Sequence, residues 1–175
     1  MLADVITEFR RYQRLAEEGL AQLDEASFFA RPGSQVNSVA LIVKHVAGNL
    51  RSRWTDFLTS DGEKPDRNRD GEFQILEGDT RERLMAAWSE GWQRVLTTLE
   101  SLSDADLDRT VTIRGEPHTV RQAALRSLNH TVYHVGQILY LVRLHRPDSK
   151  WLTVPPGQSR GVPGGYFQPP PASGR

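Results

Sequence analysis

The chain has 175 residues, 22 Lys plus Arg against 22 Asp plus Glu, and no cysteine. Its length suits one domain with a sizeable core, while a net charge of zero argues against a nucleic-acid or anionic-membrane partner, which would need a basic face. Without cysteine there is no disulfide framework, no thiolate metal site and no cysteine nucleophile.

From the N-terminus, Leu2, Val5, Ile6, Phe9, Tyr12, Ala16, Leu20 and Leu23 repeat at helical spacing and predict a helix over about 2–24. The opening MLADVITEFRRYQ carries charge where a signal peptide needs an apolar stretch, and no apolar run approaches the roughly 20 residues of a membrane span. A soluble cytoplasmic protein is expected. After the Arg31-Pro32-Gly33 break, a second helix is predicted over about 38–58, with Asn37 or Ser38 placed to cap it. Residues 59–78 are polar, charged and long for a loop between helices, which marks them as functional or disordered. A third helix is expected over about 80–102, with Asp79 as its N-cap. VTIRGEPHTV then alternates β-branched residues about a Gly, as a short hairpin does. The fourth helix, about 120–145, is the most apolar, and Pro147 stops it. The resulting fold class is all-α, a four-helix bundle over residues 1–150 with a short hairpin before its last helix. Residues 151–175 form a Pro/Gly-rich tail that lies over the domain or is disordered.

Of five histidines, His130 and His134 are four apart in the fourth helix, so both rings leave one face about a turn apart. That spacing suits two ligands on one metal, but it equally fits one exposed and one hydrogen-bonded ring. Advancing about 100° per residue, the main apolar stripe of this helix centres near Leu128, Val135 and Leu139. The two histidines share a different face with Ser127, Gln137 and Leu141. His45 is likewise off the stripe of the second helix, on an edge with Leu41, Gly48 and Ser52. Three histidines converge if these two faces border one cleft, which periodicity alone does not decide. His118, after Pro117 in the hairpin, reads as a turn or surface residue. His145 lies at the C-terminal end of the last helix, where a partly protonated ring meets the helix dipole favourably.

KHVAGNLRSRW in the second helix, with NHTVYHVGQILYL in the fourth, resembles the DinB/YfiT-like superfamily. The pattern of that superfamily is a lone His in helix two and an HxxxH followed by Gly-Gln in helix four, matched here by His45, His130, His134, Gly136 and Gln137. RWTDFLTSDGEKPDRNRDGEF and TIRGEPHTV look like an uncharacterised branch of it. The resemblance implies a four-helix bundle, often dimeric, with a three-His site for a divalent metal such as zinc or nickel. A homodimer also suits a fourth helix apolar on more sides than one core requires.

Three neutral imidazoles leave a divalent ion its full charge and at least one open position, the mark of a catalytic site. HTVYH lacks the glutamate of HExxH, so a base for hydrolysis would come from elsewhere, with Asp56, Glu90 and the acidic residues of 61–77 as candidates. Relatives in the superfamily include thiol-dependent S-transferases that hold a low-molecular-weight thiol on the metal. By that resemblance Lys64, Arg67 and Arg69 would meet carboxylates on such a thiol, whereas the plainer reading of these charges is a solvated loop. The functional expectation is a metal-dependent transferase or hydrolase acting on a small molecule. The alternative is a non-catalytic metal-binding or stress-related structural protein. For the second ring nitrogen of each ligand, Asn49, Ser52, Ser127 or a backbone carbonyl is the expected partner.

Overall fold

The computed structural model describes residues 1–158. The described residues are mostly helical, with five α-helices and one two-stranded sheet. The first helix, α1 (Leu2–Leu20), ends four residues earlier than its apolar stripe predicts. Asp24 accepts from the backbone N–H of Ser27 at 2.8 Å and starts a separate short helix, α2 (Glu25–Phe29). Leu23 therefore reaches the core from the connecting turn.

Helix α3 (Val39–Trp54) is capped by Ser38, whose hydroxyl accepts from Leu41 N at 3.3 Å. It stops at Thr55, which is extended, followed by Asp56 with φ of 48°. The predicted last turn, 55–58, is thus replaced by a bend. Helix α4 (Arg81–Ser101) is capped by Thr80. Asp79 is held instead by Lys44 Nζ at 2.6 Å and by the backbone N–H of Leu76. Helix α5 (Val120–His145) begins with Thr119 and Gln122 bonding reciprocally, each side chain to the other's backbone N–H, and runs the full predicted length.

The expected hairpin is β1 (Thr110–Ile113) paired antiparallel with β2 (Glu116–Thr119). Its two turn residues, Arg114 and Gly115, both have positive φ, 56° and 75°, the geometry that matches the twist of a tight hairpin.

Helix α3 packs chiefly on α4 and α1 chiefly on α5, while α3 also meets α5. The apolar stripes close on one core, centred on Phe9, Trp54, Trp88 and Trp92. Phe9 meets Trp54 and Trp92 edge-on, with ring centroids 6.0 and 6.1 Å apart. Trp151 is separate and exposed, with the Arg143 guanidinium 4.2 Å from its ring centroid. Residues 151–158 carry no regular secondary structure; the rest of the tail expectation lies outside the described residues. Among those residues no helix is long and apolar enough to cross a membrane.

Candidate metal centre

Where α3 meets α5, His45, His130 and His134 come together. His130 Nε2 is 3.3 Å from His45 Nε2 and 3.2 Å from His134 Nε2. Two nitrogens each about 2.0–2.1 Å from one ion at a tetrahedral angle stand about 3.3 Å apart, so these two spacings fit either a shared ion or direct hydrogen bonds, and the third pair lies within 4.8 Å. The i, i+4 spacing on α5 supplies two of the rings, and the crossing of α3 supplies the third.

The far side of the rings decides where their protons sit. His45 Nδ1 is 2.8 Å from Glu72 Oε2, a carboxylate that can only accept, so Nδ1 donates and Nε2 is the nitrogen that meets His130. His134 Nδ1 donates in the same way to Gln137 Oε1 at 2.8 Å. His130 Nε2–H can then serve one neighbouring lone pair but not both, whereas a cation between the three nitrogens would satisfy all of them. His130 Nδ1 is buried without a hydrogen-bond partner among the described residues. Burial, reinforced by the neighbouring His134 and His45 rings and by Arg67 and Arg53, lowers the His130 pKa to about 3. Burial also lowers that of His134, against the Gln137 hydrogen bond, which raises it. Neutral imidazole is the ligating form, and these three lie close enough to hold a metal ion.

Glu72 comes from the long loop, in the 3-10 turn Asp70–Phe73. Burial opposes its charge, but hydrogen bonds from His45 and Arg67 outweigh that and hold its pKa below the ordinary carboxylate value. Arg67 donates to both oxygens, Nε to Oε1 at 2.8 Å and Nη2 to Oε2 at 2.9 Å, and its side chain is only 4% exposed. The carboxylate lies directly on Gly48, one turn beyond His45 on the same edge of α3, where any Cβ would overlap Glu72 Oε1. Phe73, the next residue, places its ring 4.7 Å from the His45 ring. The 59–78 loop is therefore built into the site.

The expected ring partners are engaged elsewhere. Ser52 Oγ donates to Gly62 O and accepts from Lys64 N, and Ser127 Oγ accepts from Trp54 Nε1. Asn49 lines a cavity in front of the rings without bonding to them. Neither Asp56 nor Glu90 reaches the histidines; both line a separate, larger cavity between α3, α4 and the loop. Lys64 lies there too, bonded to the Asp61 carbonyl. His118 and His145 stand apart from the cluster, as their positions imply. His118 Nδ1 donates to Glu116 O, and His145 is eleven residues along α5 from His134, about 16 Å at the helical rise.

The family model for DUF1572, a protein of unknown function, matches residues 1–158. The chain belongs to this family. Among solved structures it is similar to a conserved protein from Enterococcus faecalis, with a TM-score of 0.63 and 17% identity, over 84% of this chain and 98% of that one. At that identity the likeness concerns the fold alone. A search of curated proteins gave no match.

Proposed function

We propose that this DUF1572 protein is a DinB/YfiT-like four-helix bundle formed by α1, α3, α4 and α5. In this reading His45, His130 and His134 hold one divalent ion, zinc or nickel, and the protein is a metal-dependent enzyme acting on a small molecule. The observation that carries the reading is the convergence of three histidine rings whose ligand nitrogens lie within 4.8 Å of one another. When bound, the ion would supply a positive charge that favours ionisation of a thiol or water in its open position.

The chain's own residues orient the ligands. Glu72 and Gln137 hold the His45 and His134 rings by Nδ1, and Arg67 keeps Glu72 ionised. Glu72 is poorly placed to act as a base, since both its oxygens are taken by Arg67 and one also by His45. Among the described residues no Asp or Glu lines the cavity in front of His45 and His130. That favours S-transfer from a low-molecular-weight thiol over hydrolysis, because a thiol ionises more readily than water and needs less help from a base. A polar cavity at the rings, instead of an apolar seal, favours catalysis over a purely structural metal.

The decisive experiment is metal analysis of the purified wild type and of His134→Ala. About one zinc or nickel per chain is expected in the wild type and almost none in the variant, with only a modest change in melting temperature. A wild type that takes up neither ion from a metal-supplemented buffer would overturn the reading.

The outer face of α5 supports a homodimer. Tyr133, Tyr140 and Leu144 form one helical stripe that is 63, 72 and 49% exposed, and beside it Gly136 has open space in front of it. Light scattering at micromolar protein should give twice the 19.7 kDa chain mass; the single-chain mass would count against it.

A further inference from the structure

The cavity in front of the histidines has a volume of about 200 Å³, and five arginines line it: Arg53, Arg67, Arg69, Arg114 and Arg126. Their charges are unevenly answered. Arg53 and Arg114 each meet Glu63 at 3.0 Å, and Arg67 meets Glu63 and Glu72. Those three cations thus share two carboxylates. The other two have no carboxylate partner among the described residues. Arg69 lies over the Phe73 ring, 5.5 Å from its centroid, and Phe73 in turn packs on His45. Arg126 Nη1 donates to His118 Nε2 at 2.9 Å, while His118 Nδ1 donates to Glu116 O, so the group facing Arg126 is an imidazole and not a carboxylate. Two arginines are thus positioned at the cavity by aromatic rings, leaving their charge unanswered.

We propose that this cavity binds the oxyanion group, carboxylate or phosphoryl, of a small molecule, and that Arg69 and Arg126 are the residues that take it. A guanidinium presents a fork of donors matched to either group. Among the described residues the lining holds five arginines and two histidines and no anion, so a divalent ion on the histidines would add to a positive surplus that an anion relieves. At about 30 Å³ per water, the space is on the order of seven waters, enough for an anionic head and a few further atoms. The rest of a larger molecule would extend through the mouth, past the exposed Arg69, Arg114 and Arg126. Of the loop cations expected to meet carboxylates, Arg67 is consumed by Glu72 and Lys64 faces the other cavity; Arg69 remains, and Arg126 joins it from α5. As a statement of the substrate's charge the proposal rests on the metal reading, but the arginine site itself does not need the ion.

The test is calorimetric titration of the full chain with succinate, with inorganic phosphate, and with neutral succinamide as control. It is carried out on the wild type, the double variant Arg69→Gln/Arg126→Gln, and His134→Ala, with metal content measured for each. The expected result is that one of the two anions binds, that the double variant weakens it at least tenfold, and that succinamide does not bind. Which anion binds tells the carboxylate source from the phosphoryl one. The double variant should keep its metal and melting temperature, since both arginines are exposed. Equal anion affinity in the double variant and the wild type would overturn the proposal, as would binding of neither anion by the wild type. Metal-free His134→Ala that still binds the anion through these arginines upholds the site apart from the ion. A wild type without metal that shows arginine-dependent binding upholds the proposal while the metal reading fails.

Discussion

Helix α3 is buried on two sides, and the two surroundings are made differently. Toward α1 and α4 it contributes to a core in which Phe9, Trp88, Trp92 and Val95 are fully enclosed and contacts are nondirectional. Toward α5 it presents His45 to a chain of directed bonds running from Arg67 through Glu72 to the ring, with His130 and His134 opposite. Apolar packing needs volume and periodicity; the polar side needs each partner at a set distance, because an unmatched buried charge or donor is expensive. The two sides should therefore fail separately, one losing the fold and the other losing the ligand.

The largest expected effect on stability is in the tryptophan core. Trp92→Ala removes a fully buried ring that touches Phe9 and Trp88, a change that costs about 3–5 kcal/mol in other cores. At roughly 2–4 °C per kcal/mol for a chain of this size, the melting temperature should fall by about 6–20 °C. Metal bound per folded molecule should stay as in the wild type. A variant that kept its melting point but lost its metal would break the separation between the two regions.

The same contrast explains what was readable from the sequence. Helix α5 has the predicted bounds because a strong apolar period, a Thr119/Gln122 start and Pro147 all agree. The hairpin was legible from Gly115 and its flanking β-branched residues. The His130–His134 pair followed from spacing, and His45 from the motif around it. Capping choices were less legible: Asp79 and Thr80 are adjacent, and only the three-dimensional reach of Lys44 takes Asp79 away from the helix. The short α2 was hidden because Leu23 continues the apolar rhythm through a turn. Glu72 was named only among the acidic residues of 61–77 as a candidate base, and its pairing with His45 was missed because nothing local links it to that residue, 27 positions earlier. The one hint was Gly48, a residue with no side chain one turn from a candidate ligand, where something must approach closely. Arg126 and His118 gave no signal at all, since their pairing depends on how the hairpin folds back on α5.

A smaller and more selective effect is expected at Glu72, where the polar side can be weakened without removing a ligand. Glu72→Gln keeps the shape but loses the charge, so His45 Nδ1–H keeps an acceptor and Arg67 loses its main anion. An isolated buried charge costs about 3–5 kcal/mol. The loss here should be less, because Arg67 retains Glu63 at 3.4 Å. Metal affinity should fall about 10–100-fold, the usual consequence of removing a partner behind a ligating histidine. The pH dependence gives a sharper signature. The Glu72 pKa is lowered by folding from an ordinary value of 4.5, so its contribution to stability is fully present well above pH 4.5 and is lost as pH falls through the lower folded value. Melting curves of metal-free wild type and Glu72→Gln should therefore stand apart at pH 7 and converge in acid, where the wild-type carboxyl is also uncharged. A gap that stayed constant down to pH 3 would mean that the amide disturbs packing instead of removing charge. In that case the link from Arg67 to His45 would not be electrostatic.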